Sequence, residues 1–325
     1  MINCIKNRLI MIKYLTLLSV SLFFYSGYSQ GCSDAGFCTM GAMKPDQSYS
    51  KKLDLKLRSI EINAYKGTTT LTPVIRVYTA DVTIGVNDYN FFQLKVPYQT
   101  VEGNFGKTNG LGDISVSWTR QLLTKENFSM SATLGAKIPS NKSDLERKDT
   151  QLGTGGDFPM YYQVSLGSYD AVAGASIISN DWLFATGIQI PLTRNQNDFR
   201  WAQWAEYPDQ EYVEDYALAN NLKRGIDVML RIERNFRFTN FNFSIGLLPI
   251  YRISKDERLD FNTGERIKID KTTGLALSAL GSAGYSFNVN HSLKLILGRK
   301  LTQREVNPDG LTRVVVNSLS YIYRF

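Results

Sequence analysis

Between residues 128 and 138 the chain alternates without a break. Phe128, Met130, Ala132, Leu134, Ala136 and Ile138 share one parity, and Ser129, Ser131, Thr133, Gly135 and Lys137 share the other. Side chains of a strand alternate faces with a period of two, so this segment has one apolar face and one small, polar face. The pattern recurs. Phe241, Phe243, Ile245 and Leu247 oppose Asn242, Ser244 and Gly246, and Ala279, Gly281, Ala283, Tyr285 and Phe287 oppose Ser278, Ser282 and Ser286. Mean hydropathy is only −0.21 although aromatic residues make up 12% of the chain. No stretch beyond the N-terminus is long and apolar enough for a membrane helix. A membrane β-barrel hides in a hydropathy profile in this way, because lipid-facing and lumen-facing residues alternate along each strand.

Alternation predicts about twelve strands, at 52–65, 71–84, 89–98, 111–123, 127–139, 159–178, 182–193, 222–238, 241–254, 272–288, 291–304 and 311–325. Fourteen is the alternative count. Each segment meets the roughly 9–11 residues that a tilted membrane strand needs. Five connections are short and carry turn chemistry: Gly85 to Asp88, Leu123 to Asn127, Ser179 to Asp181, Thr239-Asn240 and Asn288 to Asn290. The connections at about 66–70, 99–110, 140–158, 194–221, 255–271 and 305–310 are longer. Short and long connections alternate as they do in outer-membrane barrels, with tight periplasmic turns and longer outside loops. This requires 159–178 to run as one strand through Gly167 to Asp170, with a bulge there. The expected fold is all-β: a transmembrane antiparallel β-barrel closed so that no sheet edge meets lipid.

The N-terminal residues predict export. Lys6, Arg8 and Lys13 precede an apolar run from Tyr14 to Tyr25, and Ser26, Gly27 and Ser29 form a small-residue cleavage site. Met11 also reads as a start. The organisation is therefore a signal peptide at 1–29, a periplasmic or plug segment at 30–51 and a barrel at 52–325. Cleavage and the barrel pattern together predict the outer membrane of a Gram-negative bacterium. Lipid and lipopolysaccharide would then be its surroundings. The final strand carries Tyr321, Tyr323 and Phe325 on one parity. That pattern resembles the C-terminal signal read by the barrel-assembly machinery, and it suits the aromatic girdle at a membrane edge.

A resemblance enters at Asn109-Gly-Leu-Gly-Asp-Ile114, then at Gly135-Ala-Lys-Ile-Pro139 and Leu152-Gly-Thr-Gly155. A Gly-Leu-Gly-Asp opening of a strand, a Gly-Leu-Lys-x-Pro end and a Gly-Thr-Gly before the next strand recur in one family. Over about residues 90–195 the chain resembles the MetA-pathway phenol-degradation family of outer-membrane proteins, which is compared with FadL-type hydrocarbon channels. It departs at Ser140-Asn141, where the family has Thr-Gly, and it has no Asn-Pro-Ala hatch near the N-terminus. The resemblance implies passage of small, aromatic or hydrophobic solutes.

Three places are candidates for chemistry. Cys32 and Cys38 are the two cysteines beyond the signal peptide. In an oxidising periplasm they predict a disulfide. The competing reading is a soft-metal site with Met40 and Met43. Lumen selectivity is expected of Asp54, Lys56 and Arg58 in the first strand, Asp113 at the fourth, Lys137 at the fifth, and Asp227, Arg231 and Glu233 in the eighth. Structural pairing across the barrel is the plain alternative for these charges. Loop 194–221 holds Trp201, Trp204, Tyr207, Tyr212 and Tyr216, which could stack on a solute or fold into the barrel mouth. Self-packing of the loop is the alternative there.

Several classes are disfavoured. Lys and Arg are scattered through the strands, so the net charge of +7 does not predict nucleic-acid binding. The chain has one histidine, His291, beside a predicted tight turn, and no nucleophile elbow or Walker loop. No enzyme activity, cofactor or metal is predicted. The expected function is passive passage of a small solute. The alternative is a non-transporting barrel, acting as an adhesin, a structural partner or an anchor that binds a periplasmic protein through its N-terminal segment.

Overall fold

The structure is a computed structural model and describes residues 39–44, 56–69, 71, 73–148, 155–311 and 313–325. Twelve long strands form one antiparallel barrel: β1 Lys56–Thr68, β2 Val74–Gly85, β3 Asn90–Gly103, β4 Ile114–Lys125, β5 Phe128–Ile138, β6 Asp170–Ser179, β7 Trp182–Pro191, β8 Asp227–Arg237, β9 Phe241–Arg252, β10 Gly274–Ser286, β11 His291–Thr302 and β12 Val315–Arg324. Each pairs with its sequence neighbours. The barrel closes where β1 meets β12, in register from Ser59 opposite Arg324 to Thr68 opposite Val315. Closure satisfies every strand edge, which lipid cannot do.

The outer face is apolar in a continuous band that includes Ile62, Leu134, Ile245, Leu297 and Leu319. At the short-turn end it ends in a ring of aromatics. Phe241 and Phe243 meet at 4.6 Å, Tyr285 and Phe287 at 5.1 Å, and Tyr323 and Phe325 at 4.6 Å. Tyr78, Tyr98, Tyr169 and Tyr251 are exposed towards the long-loop end. An apolar belt between two aromatic girdles is the surface of a protein solvated by a bilayer. Tyr321, Tyr323 and Phe325 belong to the outward row, as their parity predicts.

Two segments depart from the sequence reading. Residues 159–169 are not the first half of a strand. Phe158, Met160, Tyr161, Tyr162 and Val164 are all buried, through a short 3-10 turn at Met160–Tyr162, so no face of this run is left for lipid. Gly167 has φ +67 and lies where a Cβ would meet the Lys142 carbonyl oxygen at 2.6 Å. The chain therefore turns sharply there, and β6 starts only at Asp170. The expected loop 99–110 is a hairpin instead. β3 runs on to Gly103, and Gly106–Leu111 folds back along it, pairing Gly103 with Gly106 and Tyr98 with Leu111.

Candidate channel lumen and its closures

The inward row is built of small polar residues. Ser117, Ser131 and Ser176 and the glycines of β5, β6 and β7 leave room inside the wall, and residues 39–44 fill it. A Cβ on Gly135 would meet Met40 Cε at 2.7 Å. Added Cβ atoms on Gly174 and Gly187 would meet Met43 Sδ at 2.4 and 2.2 Å. Glycine inside a strand often marks such a close approach. Gly41 N–H donates to Gln93 Oε1 at 2.8 Å, and Ala42 N–H donates to Thr133 Oγ1 at 2.7 Å. Lys44 Nζ reaches both Glu61 (2.5 Å) and Asp81 (2.8 Å), and Lys95 stands 3.8 Å from Asp81. The segment is thus a plug, held by thioether packing on one side and a buried ion cluster on the other.

Below the plug a cavity of about 1170 Å³ lies at the short-turn end. Ser129, Asn242, Lys294 and Arg324 are among its lining residues. The long-loop half is filled. Residues 158–168 enter the barrel and are tied to it through Asp113, which accepts from Ser165 Oγ at 2.6 Å and Leu166 N–H at 3.2 Å and stands 3.6 Å from Lys137. A cavity of about 30 Å³ remains beside Asp113, Lys137 and Gln163, with room for water only.

A second ion cluster joins the strand ends to the long loops. Arg252 pairs with Asp227 at 2.6 Å, Asp256 at 2.8 Å and Asp309 at 2.7 Å. Arg304 adds a contact to Asp309 at 3.4 Å, and Arg224 pairs with Asp170. Burial pushes the Asp309 carboxyl up, but Arg252, Arg304 and Arg224 outweigh it and hold the group well below the usual carboxylate range. Burial raises Asp256 despite Arg252, and the Asp309 carboxylate adds to the rise. Removing one member of such a buried cluster leaves a charge without its counter-ion, at a cost of about 3–5 kcal/mol.

The predicted site residues divide clearly. Asp113, Lys137, Asp227, Arg231 and Glu233 point inward, and Arg231 stands 3.6 Å from Glu233. Arg58 is displaced by a β-bulge between Leu57 and Ser59 and lies over the Phe91 ring at the short-turn rim, 4.0 Å from its centroid. Beyond the bulge the inward row of β1 is Glu61, Asn63 and Tyr65, the opposite parity to the one expected. Asp54, Cys32 and Cys38 lie outside the described residues, as do the signal peptide and the Lys56 side chain. In the loop, Trp204, Tyr212 and Tyr216 are buried, Tyr207 is half-buried and Trp201 is 55% exposed. The lumen residues expected from strand parity do not include Lys44, Glu61, Asp81, Lys95 or the arginines at 224, 252 and 304. The signal in β1 was present, since Ile60, Ile62 and Ala64 alternate against Glu61, Asn63 and Tyr65.

A closed twelve-stranded barrel with a lipid-facing belt and a filled, polar lumen defines a transmembrane β-barrel of the outer-membrane type. Among solved structures the chain is similar to the COG4313 outer membrane channel from Pseudomonas putida F1, with a TM-score of 0.60 and 13% identity over 86% of this chain and 99% of that one. The NanC porin is a more distant likeness, with a TM-score of 0.45 and 9% identity over 82% of this chain and 98% of that one. These likenesses concern the fold. No family model matches the chain, and no curated protein matches it either. The resemblance to the phenol-degradation family is therefore carried by its short motifs alone.

Proposed function

We propose that the protein is a passive outer-membrane channel for a small solute, closed in this conformation by its own chain. The observation that carries the reading is the plug. Residues 39–44 stand between a polar cavity of about 1170 Å³ and the long-loop half, and a few side-chain contacts hold them there. A barrel that only anchored a partner has no need of a glycine-lined cradle for a separable segment. The inward charges, Arg231 and Glu233 among them, support selection of solutes by charge. The aromatic residues of the long loop support a solute that is aromatic or hydrophobic, as the family resemblance implies.

The surroundings follow from the same reading. The apolar belt supports contact with outer-membrane lipid and lipopolysaccharide, and the outward Tyr321, Tyr323 and Phe325 support their use by the barrel-assembly machinery. A cleaved signal at 1–29 and a Cys32–Cys38 disulfide upstream of the plug belong to this proposal. Planar-bilayer recording of purified protein tests it. Deletion of residues 39–44 together with Asp113→Ala, which also unties the inserted residues 158–168, should raise single-channel conductance several-fold over wild type. A deletion variant as silent as wild type, which instead co-purifies with a periplasmic protein through its N-terminal segment, would favour the anchor.

A further inference from the structure

The most crowded aromatic feature of the molecule lies away from the plug. Phe105 stands at the tip of the hairpin made by β3 and Gly106–Leu111, and its side chain is 1% exposed. Six rings surround it, with centroids at 4.6 Å (Trp204), 4.8 Å (Tyr212), 5.0 Å (Tyr207), 5.4 Å (Tyr216), 5.5 Å (Tyr162) and 6.4 Å (Phe199). All are inclined to it by 48–60°. Inclined rings at these separations are the favoured surroundings of a single arene. None of the six belongs to the hairpin itself. They come from the inserted segment and the long loop, so the cage is assembled by other parts of the chain and Phe105 is put into it.

The cage also has a polar wall. The hydroxyls of Tyr162 and Tyr212 are 2.7 Å apart, those of Tyr212 and Tyr216 are 2.8 Å apart, and Tyr216 Oη lies 3.1 Å from the Leu71 carbonyl, which can only accept. At the other end Tyr162 Oη accepts the backbone N–H of Phe105 at 3.2 Å. Withdrawal of the hairpin tip removes that donor and leaves an acceptor facing the vacated space. A hydroxyl on an incoming ring fits it. Beside the packing of Phe105 and its bond to Tyr162, a further side-chain hydrogen bond holds the tip. Tyr207 Oη donates to the Asn104 carbonyl at 3.0 Å, and Gly106, at φ +140, gives the tip backbone conformations that other residues rarely adopt.

We infer that this cage is a binding site for a neutral monocyclic arene bearing a hydroxyl, and that Phe105 occupies it as a built-in competitor until such a solute displaces the ring. Its significance for passage rests on the channel reading, but its occupancy does not. An internal occupant weakens the apparent affinity by the fraction of time the cage is free.

Equilibrium dialysis with benzyl alcohol tests this, because that molecule is the Phe105 side chain with a hydroxyl added. Purified Phe105→Ala should bind it at least 10-fold more tightly than wild type and should gain less for cyclohexylmethanol. Tyr207→Phe keeps all six rings and loses only the hydrogen bond to Asn104, so it should tighten binding about threefold. This variant decides the matter alone if Phe105→Ala does not assemble. No gain in either assembled variant, or an equal gain for cyclohexylmethanol in Phe105→Ala, overturns the proposal. A non-conducting protein that shows these gains removes the channel reading and leaves the cage intact. A conducting protein without them does the reverse.

Discussion

Lys44 and Glu61 meet at 2.5 Å inside the barrel, the first on the plug and the second on the wall of β1. Asp81 on β2 makes the second contact, at 2.8 Å. On this side the plug is thus fastened to the wall by an ammonium group shared between two carboxylates. A fastening of this kind is stable while complete and costly when one partner is lost.

Replacing Lys44 with Met should release the plug. Glu61 and Asp81 would then face each other with Lys95 as their nearest remaining cation on the Asp81 side. A loss on the order of 2 kcal/mol raises the open fraction about 30-fold. In an Asp113→Ala background, where the inserted residues 158–168 are untied as well, long-lived open events in single-channel recordings are the expected result, and an unchanged open probability would mean that the plug is held by its methionines.

The methionine side can be tested separately. The three atoms nearest a Cβ on Gly174 all belong to the Met43 side chain, with Sδ at 2.4 Å. In the same Asp113→Ala background, Gly174→Val should therefore expel the plug and raise conductance while leaving β6 paired, because a β-branched residue suits a strand. Adding Met43→Ala should restore the closed channel by making room. Failure of the second change to reverse the first would place the effect in the strand rather than the cradle.

Acid should act on the long loops through Asp309. Its folded-state carboxyl lies below the ordinary value of 3.8, so the stability it contributes is complete above that value and is lost as pH falls through the lowered one. Asp309→Asn should reduce thermal stability at pH 7 by about 3 kcal/mol, in line with removal of one member of a buried ion cluster. The gap to wild type should hold at pH 5 and narrow below pH ~4. A gap that stays constant down to pH 2 would mean that Asp309 acts by shape and not by charge.

Orientation has its own signature. Asn141 and Asp209 lie in long loops, and Asn240 and Asn290 in short turns. Cysteine introduced at the first two should react with an impermeant maleimide added to intact cells, and cysteine at the last two should react only after the outer membrane is opened. Labelling of Asn240→Cys in intact cells would reverse the assigned topology.

Much of the wall was legible in the linear sequence, because alternation is a local property. Phe128 to Ile138 in β5, the inward Asp227, Arg231 and Glu233 of β8 and the outward Tyr321, Tyr323 and Phe325 all stand on the faces their parity predicts. The short turns were legible for the same reason, since two to five residues carry their own geometry. One bulge at Arg58 was enough to reverse the parity of β1, because an extra residue moves every later side chain to the other face.

The contents of the barrel were decided only in three dimensions. Residues 159–168 read as the first part of the strand 159–178 because apolar side chains that face lipid and apolar side chains packed in a lumen look alike in a sequence; only the closed wall, already complete with twelve strands, forces them inside. Lys44 finds Glu61 and Asp81, Met43 finds Gly174 and Gly187, and Phe105 finds six rings across separations that no local pattern encodes. Parity sets which face a residue presents, and closure sets what that face meets.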